Sequence, residues 1–508
     1  MDRSTLFEGL FVFDMANNHQ GDPEHGKTII KQIAKVCREK NVKGAIKFQY
    51  RQLSTFIHPD YIHAKEPKHI SRFLGAQLSN DAYKVLVDEV KREGLIAVCT
   101  PFDEASVELI EKHDIDVIKI ASCSAKDWPL LERIALARKP VICSTAGLNI
   151  SDIDKVVSFF SHRKIHLALM HCVAIYPTLV QDLQLNQIDF LKSRYPFLTI
   201  GYSTHEEPEN DDAVQMAVAK GAKVLERHVG VETETIKLNK YSSTPEQIKK
   251  WISSALDANM SCGAETRLLP KKEETESLES LMRGVYARKN ISADEVIKRE
   301  DVFFAMPLLN GQLASGKYEG TIKSNRAYKA NEPLDSALGE ITNTKKMVYS
   351  VIHQVKGMLY KARIAIGKEF RVELSHHFGI DKFEQVGAII IDCVNREYCK
   401  KLVIQIPNQF HPNHYHKLKE ETFQVLCGEL IVNLEGKISV LHPGDQITVK
   451  RNQKHWFTTK TGTIVEEIST THHKGDSYYD DERVAHDPNL RKTDMKDGNV
   501  AFEQYDFL

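Results

Sequence analysis

At 508 residues, with 68 lysines and arginines against 69 aspartates and glutamates, the chain is too long for one ordinary domain. It is also too evenly charged to gather nucleic acid or an anionic membrane through a global field. No run reaches the roughly 18 uninterrupted apolar residues that a membrane helix needs, and the start "MDRSTLFEGLFVFDMANN" lacks the pattern of a leader peptide. Nine cysteines form no C-x-x-C pair. Their odd number, largely inside strand-like runs, fits reduced core thiols in a cytoplasmic protein.

Residues 1–270 alternate short strand-like runs with longer amphipathic stretches. The strand candidates are "LFVFDMA", "AIKFQY", "IAVCTPF", "VIKIAS", "PVICSTA", "HLALMHCV", "TIGYSTH" and "KVLERHVG". Between them lie segments such as "HGKTIIKQIAKVCREKN" and "DAYKVLVDEVKREG", with apolar residues at helical spacing and, in the second, a terminating glycine. Eight strands separated by helices predict a (β/α)8 TIM barrel, with an open doubly wound sheet as the alternative.

Three of these strands carry charge where hydrocarbon is expected: Lys47, Lys119, and the run Glu226, Arg227, His228. An unpaired charge there costs several kcal/mol. In such barrels the C-terminal strand ends form the floor of the active site. Asp14, Lys47, Thr100, Lys119, Ser122, Ser144, Tyr176, His205 and His228 all fall at or just beyond the ends of apolar runs, and Asn17, Asn18 and His19 read as an extension of the first. Converging there, the two lysines would face an anionic ligand. The structural alternative is that each reaches solvent or pairs with a neighbouring carboxylate.

After the charged connector "RLLPKKEETESLESL", residues 281–340 read as a small β-rich module with Gly, Asn and Pro turns. At about 60 residues it is marginal alone and expected to dock on a partner surface. Residues 345–508 have the rhythm of an all-β sandwich or barrel. Here "NHYHKLKEETFQVLCGEL" places His414 and His416 two apart on a strand face, Glu421 after a short turn, and His455 follows "HPGDQITVKRNQK". Three imidazoles and a carboxylate suit a divalent transition metal with open positions. Glu420 is an adjacent competitor.

The spacing of His414, His416, Glu421 and His455 resembles the two motifs of the cupin family, and the tail "IVEEISTTHHKGDSYYDDERV" resembles sugar-isomerase cupins of the D-lyxose isomerase kind. That likeness implies sugar binding or aldose–ketose isomerisation. In the barrel, "NNHQG", "AIKFQ", "CTPFD", "IKIAS", "STAGL", "HCVAIYPT", "IGYSTH" and "ERH" occur in the order of the sialic acid (N-acetylneuraminate and nonulosonate) synthase family, and residues 281–340 resemble its antifreeze-like (SAF) domain. The resemblance implies condensation of phosphoenolpyruvate with an open-chain sugar aldehyde, giving a 2-keto-3-deoxy acid and phosphate.

It further implies that Lys47 and Lys119, with Thr100, Ser122, Ser144 and Ser203, hold phosphoenolpyruvate. His205 and His228 would bind Mn2+ or Mg2+, Gln49, Tyr176 and Asn239 would contact substrate, and the chain would form a domain-swapped homodimer. Asp14 is the candidate base where the family usually has glutamate, its arm shorter by about 1.5 Å. Ser124, Ala174 and Met306 also replace residues of the family pattern on the sugar side, which implies a different aldehyde, one without an N-acetyl group. A sugar-binding or regulatory protein with a decayed barrel is the alternative function, and a Schiff-base role for Lys119 is a third.

Overall fold

A computed structural model of the chain describes residues 5–62, 68–265, 267–318, 320–339, 344–367 and 370–494. Eight parallel strands close into the expected barrel in sequence order: β1 (Leu10–Asp14), β2 (Lys43–Tyr50), β3 (Ile96–Pro101), β4 (Val117–Ile120), β5 (Val141–Ser144), β6 (Leu167–Cys172), β7 (Thr199–Thr204) and β8 (Val224–His228). The strands are rich in β-branched and apolar residues and buried almost throughout, because helices cover the outside and side chains fill the inside. Several of the barrel's helices start at side-chain caps. Asp22 accepts from the Glu24 amide at 2.9 Å to open Pro23–Lys40, and Thr244 and Gln247 form a capping box at Pro245–Cys262.

The two-residue alternation of a strand explains where the polar groups go. Leu10, Val12, Ala45, Val98, Val117, Ile142, Met170 and Val224 form an apolar plug inside the N-terminal half of the barrel. Two residues further along the same faces stand Asp14, Lys47, Thr100, Lys119, Ser144, Cys172 and Glu226. One more step on β2 and β8 brings Gln49 and His228. The interior changes from hydrocarbon to charge within a single pleat.

Residues 270–494 hold two further bodies. β9 (Gly284–Ala287) pairs antiparallel with β11 (Val302–Ala305), and β10 (Val296–Lys298) with β12 (Thr321–Lys323). Val285, Ile291, Ile297, Val302, Leu313, Ile322 and Leu334 form their small core.

The second body begins with a helix, Thr344–Lys361, in a stretch read from the sequence as β-rich. Val351, Ile352, Val355 and Leu359 from this helix join Leu374, Ile389, Ile391 and Ile404 in one apolar layer. Its strands are β13 (Arg371–His376), β14 (Gly387–Asn395), β15 (Tyr398–Gln405), β16 (Phe410–Tyr415), β17 (Glu421–Gly428), β18 (Leu430–Leu434), β19 (Lys437–Leu441), β20 (Gln446–Val449), β21 (His455–Thr458), β22 (Thr463–Thr470), β23 (Tyr478–Tyr479) and β24 (Lys492–Asp494). Seven form a sheet in the order β20-β17-β22-β15-β14-β13-β24, and five form another in the order β19-β18-β21-β16-β23. Phe423, Val425, Val432, Val449, Phe457 and Val465 form an apolar cluster drawn from both sheets.

Candidate functional site

At the C-terminal end of the barrel the two lysines meet on one carboxylate. Lys47 Nζ lies 2.8 Å from Glu226 Oε1, and Lys119 Nζ lies 2.8 Å from Oε2 and 3.1 Å from Oε1. Ser203 Oγ donates to Glu226 Oε1 at 3.1 Å. Lys47 also reaches Asp14 Oδ2 at 2.9 Å, and that oxygen accepts from Gln49 Nε2 at 3.2 Å. Lys47, Lys119, Glu226 and Asp14 are each at least 95% buried, so these pairs sit beyond the reach of salt.

Burial by itself raises the Glu226 carboxyl. Lys119 and Lys47 outweigh it and hold the group well below the usual carboxylate range. Burial likewise raises Asp14, and Lys47 and His228 bring it back below its ordinary value. Lys47 is pushed down by burial and, more strongly, up by Asp14 and Glu226, so it stays an ammonium. Glu226 is thus the common counter-ion of both lysines. The sequence signal for it was the charge inside "KVLERHVG", but its role as partner depends on barrel closure.

His205 and His228 lie side by side, ring centroids 5.3 Å apart. His205 Nδ1 is 3.0 Å from the Val173 carbonyl, which can only accept, so Nδ1 carries the proton and Nε2 keeps a lone pair. Burial, with His228 nearby, lowers His205 to about 3. Burial also lowers His228, against the pull of Asp14, whose Oδ2 is 3.4 Å from His228 Nε2. Two neutral imidazoles beside a carboxylate are a donor set that fits a divalent cation.

Tyr176 packs tilted against His205 at 4.4 Å and against Tyr241 at 5.3 Å, and Tyr241 meets His228 edge-on at 5.3 Å. Tyr241 was not anticipated. Asn239 brings it in, its Oδ1 accepting from the Tyr241 amide at 3.1 Å. Thr100 and Ser144 are buried at the ends of β3 and β5, and Ser122 Oγ, past β4, accepts from the Ala146 amide at 3.0 Å.

Asn17, Asn18 and His19 do not extend β1. The chain turns at Ala16 (φ 46°), whose amide donates to Asp14 Oδ1 at 2.9 Å. Asn18 then ties the turn to the Val229 carbonyl at 2.7 Å. Ser124 is buried in the turn after β4, and Met306 is exposed on the small module.

In the C-terminal body, His414, His416, Glu421 and His455 each present one ligand atom within 4.8 Å of all the others. His414 and His455 face each other in register across β16 and β21, and Glu421 opens β17. His416 falls one residue past its strand, and Glu420 points to solvent.

Each imidazole sets its Nδ1 against a backbone carbonyl: His414 to Pro412 at 3.0 Å, His416 to Asp476 at 2.6 Å, and His455 to Gln453 at 3.2 Å. The protons sit there, and the Nε2 lone pairs turn inward. His455 Nε2 and Glu421 Oε1 then face each other at 3.0 Å, both residues buried, and His416 Nε2 lies 3.4 Å from the same oxygen. Three inward-facing imidazole nitrogens around one carboxylate are a donor set that fits a divalent metal ion. Lys419, passed over in the sequence, is buried beside them and bridges Glu421 to Glu467, which is 2.9 Å away.

The NeuB family matches residues 33–267, and the cupin domain matches residues 401–471. A solved structure, that of a Chromobacterium violaceum protein named spore coat polysaccharide biosynthesis protein E, is 43% identical. It covers 65% of this chain and 99% of its own, with a TM-score of 0.63. An uncharacterized protein of Methanocaldococcus jannaschii is 29% identical over 63% of this chain and 90% of its own. The N-acetylneuraminate-9-phosphate synthase of Drosophila melanogaster is 30% identical over 44% of this chain and 60% of its own.

Proposed function

Because the chain belongs to the NeuB family and carries a cupin domain, we propose that its barrel condenses phosphoenolpyruvate with the open-chain aldehyde of a sugar, giving a nonulosonate-like 2-keto-3-deoxy acid and phosphate. One observation carries the reading: Lys47 and Lys119 converge on a single buried carboxylate beside the paired imidazoles of His205 and His228.

The two ammonium groups and the hydroxyls of Thr100, Ser122, Ser144 and Ser203 hold the carboxylate and phosphate of phosphoenolpyruvate through charge-assisted hydrogen bonds. Glu226 fixes both lysines before substrate arrives, so little reorganisation is left for the reaction. His205 and His228 would hold the Mn2+ or Mg2+, which would supply polarisation of the aldehyde oxygen. Asp14, ion-paired with Lys47 and adjacent to His228, is a weak base. We assign it chiefly to orienting those two groups. Gln49 and Tyr176 contact substrate, and Asn239 shapes the loop that carries Tyr241.

C3 of the enol bonds to the aldehyde carbon, whose oxygen becomes a hydroxyl; water oxygen becomes the 2-keto oxygen, its two protons passing to that hydroxyl and to the phosphate; and the C2–O bond to phosphate breaks. Ser124, Ala174 and Met306 alter the sugar side, which favours an aldehyde without an N-acetyl group. The small module (281–340) acts as the SAF domain and covers the partner's barrel in a domain-swapped homodimer, and the enzyme works in the cytoplasm without nucleic acid or membrane. Among the described residues no helix is long and apolar enough to cross a membrane.

The test is release of inorganic phosphate by the full chain with Mn2+, phosphoenolpyruvate and a panel of aldoses, with the product read by mass spectrometry. Release abolished by Lys119→Met supports the reading. No release with any aldose, while sugars still bind, means a decayed barrel in a sugar-binding protein. The cupin body would bind or isomerise a sugar beside the metal that His414, His416, Glu421 and His455 would hold. Deuterium exchange at C2 should then be lost in His414→Ala and kept in Lys119→Met.

A further inference from the structure

The cupin cavity is lined by more cationic side chains than its own carboxylates can satisfy. The cavity, of about 100 Å3, is walled by Lys401, Lys419, Lys474, Arg491 and Lys492 together with the imidazole cluster. Most of these cations have partners. Lys419 bridges Glu421 and Glu467, Lys492 lies 2.6 Å from Glu373, and Lys401 lies 3.0 Å from Asp392.

Arg491 is one exception. It is 91% buried, yet among the described residues it meets no carboxylate. Its Nη1 donates to the Ser477 carbonyl at 3.3 Å, and its guanidinium lies 4.8 Å from the Tyr479 ring centroid. A guanidinium carries five donors in a fork made for a planar or tetrahedral oxyanion, and one weak bond to a carbonyl leaves most of them unused. Lys474, at the mouth, has no ion pair among the described residues either.

The position of Arg491 sets the size of the ligand. Tyr479 stacks on His414 at 5.3 Å (interplanar angle 18°) and also receives Arg491, so one aromatic ring separates the guanidinium from the imidazole cluster. His377 holds the Tyr479 hydroxyl at 2.9 Å and so fixes the ring. A polyol chain with an anionic end spans that interval, its hydroxyls toward the His/Glu cluster and its charge on Arg491.

We propose that the cupin cavity takes an anionic sugar, an aldose phosphate or a sugar acid, and discriminates against neutral aldoses through Arg491, assisted by Lys474. This rests on the reading that the cavity holds a sugar, and it narrows that reading to one charge class. Phosphate and carboxylate share the required chemistry, so both are tested.

The experiment is calorimetric titration of the metal-loaded full chain with aldopentoses and aldohexoses, each as the neutral sugar, the terminal phosphate and the aldonate. The anionic forms should bind at least about tenfold more tightly than the matching neutral sugar. Arg491→Gln should erase that preference, leaving metal content by elemental analysis and affinity for neutral sugar unchanged. Lys119→Met, which disables the barrel, should leave the preference intact and so separates this result from failure of the synthase reading. The proposal is overturned if neutral and anionic forms bind alike, if no anionic form binds, or if Arg491→Gln keeps the preference. Loss of the preference in Lys119→Met would also overturn it, by placing the anion in the barrel.

Discussion

Replacing Glu226 with glutamine removes one charge from the centre of a buried network while keeping its shape. The carboxylate receives Lys47 at 2.8 Å, Lys119 at 2.8 and 3.1 Å, and Ser203 at 3.1 Å. In the variant Lys47 retains Asp14 at 2.9 Å. Lys119, 98% buried, has no other carboxylate partner among the described residues. Stranding one member of a buried pair costs about 3–5 kcal/mol. A barrel of this size loses about 2–4 °C of Tm per kcal/mol, so Glu226→Gln should melt about 6–20 °C below the parent. Lys119→Met should cost less, because Glu226 then keeps Lys47 and Ser203.

Phosphoenolpyruvate should narrow the deficit of Glu226→Gln, since its anions replace the missing one. Acid gives a second signature. The folded carboxyl titrates below its ordinary 4.5, so its stabilisation is complete above that value and fades as pH falls toward the depressed folded value. The variant lacks this component, and its deficit should shrink in acid. Differential scanning calorimetry with and without phosphoenolpyruvate, from pH 3 to pH 7, checks both. A variant melting within about 2 °C of the parent, or Lys119→Met proving the more damaging, would refute the shared counter-ion.

Gly201 on β7 has no room for a methyl group: an added Cβ would lie 2.4 Å from Met170 Sδ and 2.5 Å from the Val224 carbonyl. Gly201→Ala should therefore lose about 1–3 kcal/mol in urea denaturation. His205→Ala should lower kcat for phosphate release by roughly a hundredfold or more and reduce Mn2+ affinity in parallel. His414→Ala should remove one metal equivalent per chain by elemental analysis and leave barrel turnover unchanged. Tyr241→Ala, which opens the aromatic wall beside His228, should raise KM for the aldehyde more than it lowers kcat.

Much of the barrel site could be read from the sequence because a strand interior makes charge conspicuous. Lys47 and Lys119 interrupt apolar runs, and the two-residue period alone puts them above the hydrophobic plug formed by Val98, Val117 and their neighbours. The missing piece was the partner. Glu226 lies 179 and 107 residues from the two lysines, and only closure of β8 onto β1 brings it across the lumen.

Local conformation was the other limit. The turn after β1 begins with a positive φ at Ala16, a residue that seldom adopts one, so nothing at that position marks where the strand stops. The helix Thr344–Lys361 is rich in valine and isoleucine, and their strand preference was overridden by packing against Leu374 and Ile391. In the cupin, ligand spacing identified the cluster that could hold a metal, whereas Lys419, inside the same motif but not a ligand, and Arg491, outside it, depend on what the fold places beside them.

A tethered anion at the heart of the barrel also bears on how a reaction finishes. Two bare ammonium groups would clasp free phosphate tightly and be slow to let it go. With Glu226 permanently between them, every incoming oxyanion must share its cations with a resident rival that cannot diffuse away. In the proposed condensation grip would be traded for turnover, and the leaving phosphate would be edged out by a group the chain never has to recruit.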